Sequence, residues 1–562
     1  MSFGTFCFPY RKAGSFQLKQ QYSSKQLVKG ATILTVAALI TKILSALYRV
    51  PFQNLVGDIG FYIYQQVYPF FGIVIALSTY GFPVIISKLV AEKVEENNYL
   101  GAKRVVQSSF QFLFAVGIGW FLLLFFGASF IANIMGDSNL QPLIQIISLS
   151  FLLVAPLSVL RGYYQGKNDM LPTAVSQVTE QTVRVVMILV ITTFFVMNGS
   201  SLYLTGSGAL LGSVIGGLAG VFLLICFIQL RRESLFFGIF TIKINNETKA
   251  IWGQLIKNGT AICISGMLLV LLQFVDAFNV YSLLMESGMG EEEAKKWKGI
   301  YDRGQPFVQL GTVVATSISL AIVPLVTSTY KERNNSLVRE YSQLALKVSI
   351  IVGLAASLGL INIIVPTNIM LFQNAAGSDV LAVFSGSIFF SCLILTFSGI
   401  LQGIGNIYYP AFAVLFGIAF KYVLNIVFIP QLGIMGASIA TILSLLIITV
   451  LMIVKVRRLF SIHLIEIHFY KTLALSGIGM TVLLKAYLLI HDKMMHSSWN
   501  GREVSAFFSI SGVLLGGIVF ITIFLRGNVL TQSELSLLPF GGKWVKIAER
   551  IKSKKESDRR IE

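Results

Sequence analysis

Apolar runs of about twenty residues recur along this chain, and each can cross a hydrocarbon core of about 30 Å as a helix. Fourteen can be placed, at 31–50, 62–85, 109–133, 143–164, 172–197, 207–230, 258–285, 305–328, 344–371, 380–403, 410–430, 433–455, 470–490 and 506–526. Inside a bilayer every backbone donor and acceptor must be satisfied within the protein, so runs of this length dictate helices. Composition agrees. Charged residues are 12% of the 562 and hydrophobic ones 55%, with mean hydropathy +0.76, whereas soluble domains carry about 25% charged residues. The pattern predicts an all-α polytopic membrane protein of about 14 transmembrane helices.

The formal net charge is +18, but its placement argues for topology and against a nucleic-acid partner. Lysines and arginines fall in alternate loops: Arg11 to Lys29, then Lys88 to Arg104, Lys167, Arg231 to Lys257, Lys331 to Arg339, Lys455 to Arg458, and the tail. Loops between them, such as "VMNGSSLYLTGSG" and "IPQLGIMG", have none. The positive-inside rule then predicts that both termini are cytoplasmic. "MSFGTFCFPYRKAGSFQLKQ" lacks the continuous apolar core of a cleaved signal, so the first run is expected to remain as a span. Trp544, Ile547 and Ile551 lie at helical spacing among lysines; they suit either a surface helix on anionic headgroups or a solvated tail. Cys7, Cys226, Cys263 and Cys392 are scattered, which gives no support for a disulfide framework or a metal site.

The chain also repeats itself. "RGYYQGKNDMLPTA" from Arg161 and "SGILQGIGNIYYPA" from Ser398 share Gly-x-x-Gln-Gly, with Gly162 and Gly399 separated by 399 − 162 = 237 positions. The same offset maps Pro69-Phe70 onto Pro306-Phe307, Thr79 onto Thr316, and Arg184 onto Lys421. A shift of six spans is even, so the two copies enter the membrane in the same direction, as in transporters whose site lies between two lobes. The expected organisation is a basic cytoplasmic segment (1–28), an N-lobe (29–230), a cytoplasmic linker (231–257), a C-lobe (258–456), two further helices (457–526) and a basic tail (527–562). In each repeated motif the glycines permit a tight exit from a helix, and Pro172 and Pro410 suit the first turn of the next one. Arg161, Gln165 and Gln402 are there either as parts of a structural turn or as a cytoplasmic gate.

Ionisable groups at bilayer depth are costly and mark sites unless they snorkel. Lys42, Ser45 and Arg49 share a face of the first run, with Arg49 near its outer end. Gln177, Glu180, Gln181 and Arg184 form a polar stripe on the fifth. Glu180 and Arg184 are one turn apart, and an intrahelical ion pair is the simplest structural reading of them. The seventh run offers Gln273, Asp276 and Asn279; the eighth Gln305, Gln309, Thr312, Thr316 and Ser319; the eleventh Lys421 and Asn425. Arg184 and Lys421, deep and repeat-related, would make a central cavity electropositive from both lobes and suit an anionic head. Asp276 is the candidate for coupling to a cation such as H⁺ or Na⁺. "GSVIGGLAG", from Gly212, is explained by close helix packing.

Enzymatic readings fail on spacing. "GYYQGKN" has glycine spacing one short of a phosphate-binding loop and Asn168 where Ser or Thr is required. There is no DxD or HExxH, and His463, His468, His491 and His496 fall outside the apolar runs and are expected in loops. The expectation is a protein with no catalytic residues, no cofactor and no bound metal.

Twelve spans in two repeats, plus two, resemble the multidrug/oligosaccharidyl-lipid/polysaccharide exporter superfamily, in its polysaccharide-transporter branch. "LVKGATILTVAALITKILSALYRVPF", "YGFPVIISKLV", "LRGYYQGKNDMLPTAVSQVTEQTVRVV" and "LQGIGN" are most similar to the lipid II flippases and the stage V sporulation protein B-like proteins of Gram-positive bacteria. The resemblance covers about residues 25–525. It implies a flippase in the bacterial cytoplasmic membrane that moves an undecaprenyl-pyrophosphate-linked saccharide by rocking its lobes, without ATP. It implies a basic cavity cluster to which Lys42 and Arg303 correspond. The Arg-Asp pair of the Gram-negative pattern reads Tyr48-Arg49 here, and the acid early in the second helix is missing, which separates this chain from that group's ion coupling. Partners would be the lipid-linked saccharide, membrane lipids and cell-wall synthesis enzymes. Two rivals remain on the residues alone: a cation-coupled multidrug exporter, which would use Asp276, and a scaffold of a wall-synthesis complex.

Overall fold

The computed structural model describes residues 30, 32–233, 244–460, 466–495, 501–536, 542 and 546. The N-terminal basic segment, part of the linker, and Trp544, Ile547 and Ile551 of the tail lie outside the described residues. Every regular element among the described residues is helical. Residues 32–47 form α1, followed by α2 (Arg49–Ile75), a π-helical turn (Ala76–Gly81) and α3 (Phe82–Glu95). Next come α4 (Tyr99–Phe126), α5 (Ala128–Ile134), α6 (Gln141–Ser148), α7 (Val154–Gly166), α8 (Leu171–Met197) and α9 (Leu202–Leu230). The second half holds α10 (Asn246–Gln254), a second π-helical turn (Leu255–Gly259), α11 (Thr260–Gly266), α12 (Leu268–Glu286), α13 (Glu291–Asp302), α14 (Gly304–Gly311) and α15 (Val313–Lys331). It continues through α16 (Asn335–Phe372), α17 (Ser378–Ser385), α18 (Ser387–Gly403), α19 (Tyr408–Leu432) and α20 (Ile434–Phe460); α21 (Ile467–Met495) and α22 (Gly501–Arg526) come last of the long helices.

Twelve helices among the described residues are long and apolar enough to cross a membrane, against fourteen runs in the sequence. Continuous helix is one reason for the difference. The first two runs fuse into Thr32–Glu95, a 64-residue segment, about 96 Å if straight. It is broken at Gly57 (φ 69°, ψ −174°), a conformation open to glycine alone without strain. The run at 305–328 is divided instead at Thr312, between α14 and α15.

Local chemistry fixes the other ends. Asn98 accepts from the Gly101 amide at the start of α4, and Asn245 from the Thr248 amide at the start of α10. Pro172 begins α8, where its missing donor costs nothing. Helix α16 kinks at Ile363, three residues ahead of Pro366. Packing follows small residues. A Cβ on Gly212 would lie 2.8 Å from the Ile188 amide nitrogen, and one on Gly216 would lie 2.6 Å from the Arg184 Cβ. The glycine stripe of α9 thus lets it press against α8 directly behind Arg184. Helices α21 and α22 pack on α16. Between the two halves, α2 meets α12 and α13, while the first π turn meets α11.

Candidate functional site

The N-terminal half gathers two buried guanidiniums. Arg184 is 1% exposed. It donates to Gln181 Oε1 at 3.1 Å and to the Tyr48 hydroxyl at 3.1 Å, and lies 4.3 Å from the Phe71 ring centroid. Arg49 is fully buried, with its guanidinium 4.5 Å over the ring of Tyr68. Tyr68 also faces Arg184, at 5.5 Å. Tyr48 and Tyr64 share a hydrogen bond of 2.9 Å, so α1, α2 and α8 are tied together around these charges.

Neither guanidinium has a carboxylate partner among the described residues, and all three side-chain nitrogens of Arg49 lack any hydrogen-bond partner there. Burying an ion without a counter-ion costs several kcal/mol. A desolvated cation over an aromatic face recovers about 2 kcal/mol, so the rings offset part of that cost and leave the charge unneutralised. An unneutralised pair of guanidiniums of this kind has the chemistry to accept an anion. Lys42 points elsewhere: its ammonium donates to Thr316 Oγ1 at 2.8 Å, joining α1 to α15 of the second half.

The C-terminal half treats its deep cation differently. Lys421 is fully buried and donates to Asp276 Oδ2 at 2.7 Å and to the Leu272 carbonyl at 3.1 Å. Asn425 donates to Asp276 Oδ1 (3.2 Å) and to Asn279 Oδ1 (2.9 Å), and Tyr301 donates to Asp276 Oδ2 at 3.0 Å. The expectation of two free cations facing one another is therefore revised. Lys421 is neutralised on the spot, and the Asp276 carboxylate expected to take a coupling ion holds the Lys421 ammonium.

Other sequence candidates are also partnered. Glu180 does not pair with Arg184 one turn away; it binds Arg161 Nη2 of α7 at 2.5 Å. Arg161 is fully buried rather than guarding a mouth with a free charge. Arg303, offered by resemblance to the basic cluster, binds Asp58 at 2.6 Å and 3.0 Å and donates to Asn368 and Asn374. It fastens α2 to the second half, with each of its three side-chain nitrogens engaged. Gln177 is buried on the Arg184 face of α8, Gln165 and Gln309 are half-buried, and Gln402 donates to Ser265 Oγ at 2.9 Å.

A second tie between the halves lies on α13. Lys295 bonds Glu291 (2.6 Å) and the Tyr203 hydroxyl (2.8 Å), with Asp137 at 3.6 Å. Burial pulls this ammonium down, but Glu291, Tyr203 and Asp137 outweigh it and hold the group above its usual value. The tie therefore stays charged through the physiological range. Sequence reasoning missed Tyr48, Tyr64, Tyr68 and Phe71. The signal was present in "YIYQQVYPFF", where Tyr64, Tyr68 and Phe71 recur at i, i+4 and i+7.

A two-part helical bundle with buried charge at its centre defines a class of membrane transporter fold. The solved structure of the lipid II flippase MurJ in an inward closed conformation matches with TM-score 0.65, covering 89% of this chain and all of that one at 16% identity. An inward-facing MATE family multidrug resistance transporter of the MOP superfamily matches with TM-score 0.62, over 75% of this chain and 96% of that one at 15% identity. The family described as polysaccharide biosynthesis protein matches residues 27–330, more than half of the chain. The chain belongs to that family. The membrane protein YabM of Bacillus subtilis (strain 168) is 42% identical over 93% of this chain and 96% of its own length. Lipid II flippase MurJ of the same organism is 25% identical over 75% of this chain and 80% of its own length.

Proposed function

We propose that this protein is a flippase that carries an undecaprenyl-pyrophosphate-linked saccharide across the bacterial cytoplasmic membrane by alternating access. The observation that carries the reading is the pair of buried guanidiniums, Arg49 and Arg184, held by rings instead of carboxylates. A diphosphate supplies two adjacent anionic groups with acceptor oxygens, and guanidinium forks bind such oxygens bidentately. The likeness to MurJ in sequence and fold supports the same substrate class. Partners are then the lipid-linked saccharide, the surrounding lipids and the wall-synthesis enzymes that supply it, with both termini in the cytoplasm.

A cation-coupled multidrug exporter needs an unpaired acid facing its cavity. The two acids foreseen at depth, Glu180 and Asp276, are each paired with a buried base, which favours the flippase. The test is to deplete the protein and measure how much lipid-linked precursor an externally added probe can reach. Precursor trapped in the inner leaflet, restored by wild type and not by Arg49→Ala/Arg184→Ala, supports the reading. Normal flipping in cells that become sensitive to cationic drugs would replace it with the exporter.

A further inference from the structure

At the end of the molecule that carries Lys88, Lys93, Lys103 and Arg104 lie two π-helical turns, one from each half, and each packs on the helix that follows the other. Ala76–Gly81 links α2 to α3, and Leu255–Gly259 links α10 to α11. Single π turns within α-helices are rare and cluster at functional sites. Here the last residue of each turn is a glycine, and each glycine lies against the other half. A Cβ on Gly81 would lie 1.9 Å from Cys263 Sγ and 3.2 Å from its Cβ; one on Gly259 would lie 2.8 Å from the Phe82 ring. The contact is reciprocal, because Phe82 is the neighbour of Gly81 and Cys263 lies one turn beyond Gly259. Ala76, Phe82, Leu255, Cys263 and Met267 are buried in one apolar cluster around it.

Arg161 shapes the first of these turns. It is fully buried, and its Nη1 donates to the Ser78 carbonyl at 3.3 Å and to Thr79 Oγ1 at 3.2 Å, both inside the turn. Its Nε donates to Ser176 Oγ at 3.0 Å and its Nη2 to Glu180 at 2.5 Å, anchoring the guanidinium to α8. A π turn carries one residue more than the α-helical ladder accommodates. Its relaxation to α geometry rotates the downstream helix by about 100° and shifts it by about 1.5 Å. That motion would withdraw Phe82 from Gly259.

We infer that these paired π turns are the inner gate of the transport cycle, closed in this structure, and that Arg161 is the positioning residue that holds the first turn in its closing shape. The assignment to the inner face rests on the basic loops at this end. The role in transport rests on the flippase reading. The two ends then close by different means: Asp58 and Arg303 form an ion pair at one, and glycine contacts between apolar surfaces seal the other.

The experiment places Gly81→Cys opposite the native Cys263 in a chain whose Cys7, Cys226 and Cys392 are alanine. The Cβ separation of 3.2 Å is a few tenths short of the disulfide range of about 3.5–4.5 Å. Membranes are oxidised, and crosslinking is read as protection from a mass-adding maleimide; transport is read with fluorescent lipid II in vesicles. The gate predicts protection of most molecules, arrest of lipid II transport, and recovery on reduction. Adding Arg161→Gln should slow crosslinking about tenfold at equal protein abundance, with Arg161→Lys between the two. No crosslink, full transport by the crosslinked chain, or an unchanged rate in Arg161→Gln would overturn the assignment. Should Gly81→Cys fail to accumulate, Phe82→Cys/Gly259→Cys reads the same contact with the same outcomes. A crosslink that forms in a chain whose reduced form moves no lipid II leaves the closure standing and removes the substrate reading instead.

Discussion

Arg184 and Lys421 occupy the same step of a 237-residue repeat, and the two halves have dealt with them in opposite ways. In the C-terminal half, the partner reaching across from α12 is a carboxylate, and Lys421–Asp276 closes at 2.7 Å with amide and phenol support. In the N-terminal half the partner is the Tyr48 hydroxyl, backed by the rings of Tyr68 and Phe71. A carboxylate settles the charge within the protein. An aromatic ring holds the guanidinium in place but leaves its charge for something else to settle. One repeat position has thus become a neutralised ion pair in one half and a guanidinium without a carboxylate partner in the other.

The largest expected effect tests the ion pair. Lys421→Ala leaves Asp276 buried without a counter-ion and should cost about 3–5 kcal/mol, read as loss of protein from the membrane and a lower unfolding temperature. Lys421→Met/Asp276→Leu removes both charges and should restore abundance to near wild type. Poor recovery would mean that the pair does more than satisfy itself.

Arg49→Ala/Arg184→Ala should behave in the reverse manner. No carboxylate is orphaned, so membrane abundance stays within about twofold, while transport falls by at least about 100-fold, since each charged hydrogen bond to substrate is worth about 1.5–3 kcal/mol. Tyr48→Glu gives Arg184 the kind of partner Lys421 already has. Abundance should hold and transport should drop by about 10-fold or more, as a fixed carboxylate competes with the substrate anion; Tyr48→Phe should lose less. The smallest effect is expected for Tyr68→Leu, which removes one ring contact from each guanidinium at about 2 kcal/mol or less apiece. Tyr68→Phe keeps the face and should retain most activity. If it does not, the hydroxyl and not the ring is what matters.

Helical runs, the repeat and the depth of Arg184 and Lys421 were legible from the sequence because each is a local or periodic property. The pairing was not. Sequence shows neighbours one turn apart, so Glu180 and Arg184 read as a pair, whereas the glutamate reaches Arg161, nineteen positions earlier on another helix. Asp276 and Lys421 are separated by 145 positions, and Asp58 and Arg303 by 245. Asp58 falls between two apolar runs and drew no reading from the sequence, although the Gly57 break delivers it to Arg303. Tyr48, Tyr64 and Tyr68 drew no site reading from the sequence, since aromatic residues at helical spacing are usually core. Their second role depends on which cation the fold lowers onto them.

We expect the anion site to belong to the N-terminal half alone, and ligand binding distinguishes the two halves. Purified wild-type protein should be stabilised by undecaprenyl pyrophosphate, read as a rise in unfolding temperature with ligand concentration. That rise should disappear in Arg49→Gln/Arg184→Gln and persist in Lys421→Met/Asp276→Leu. Full stabilisation of the arginine double variant, or its loss in the lysine–aspartate variant, would contradict the account.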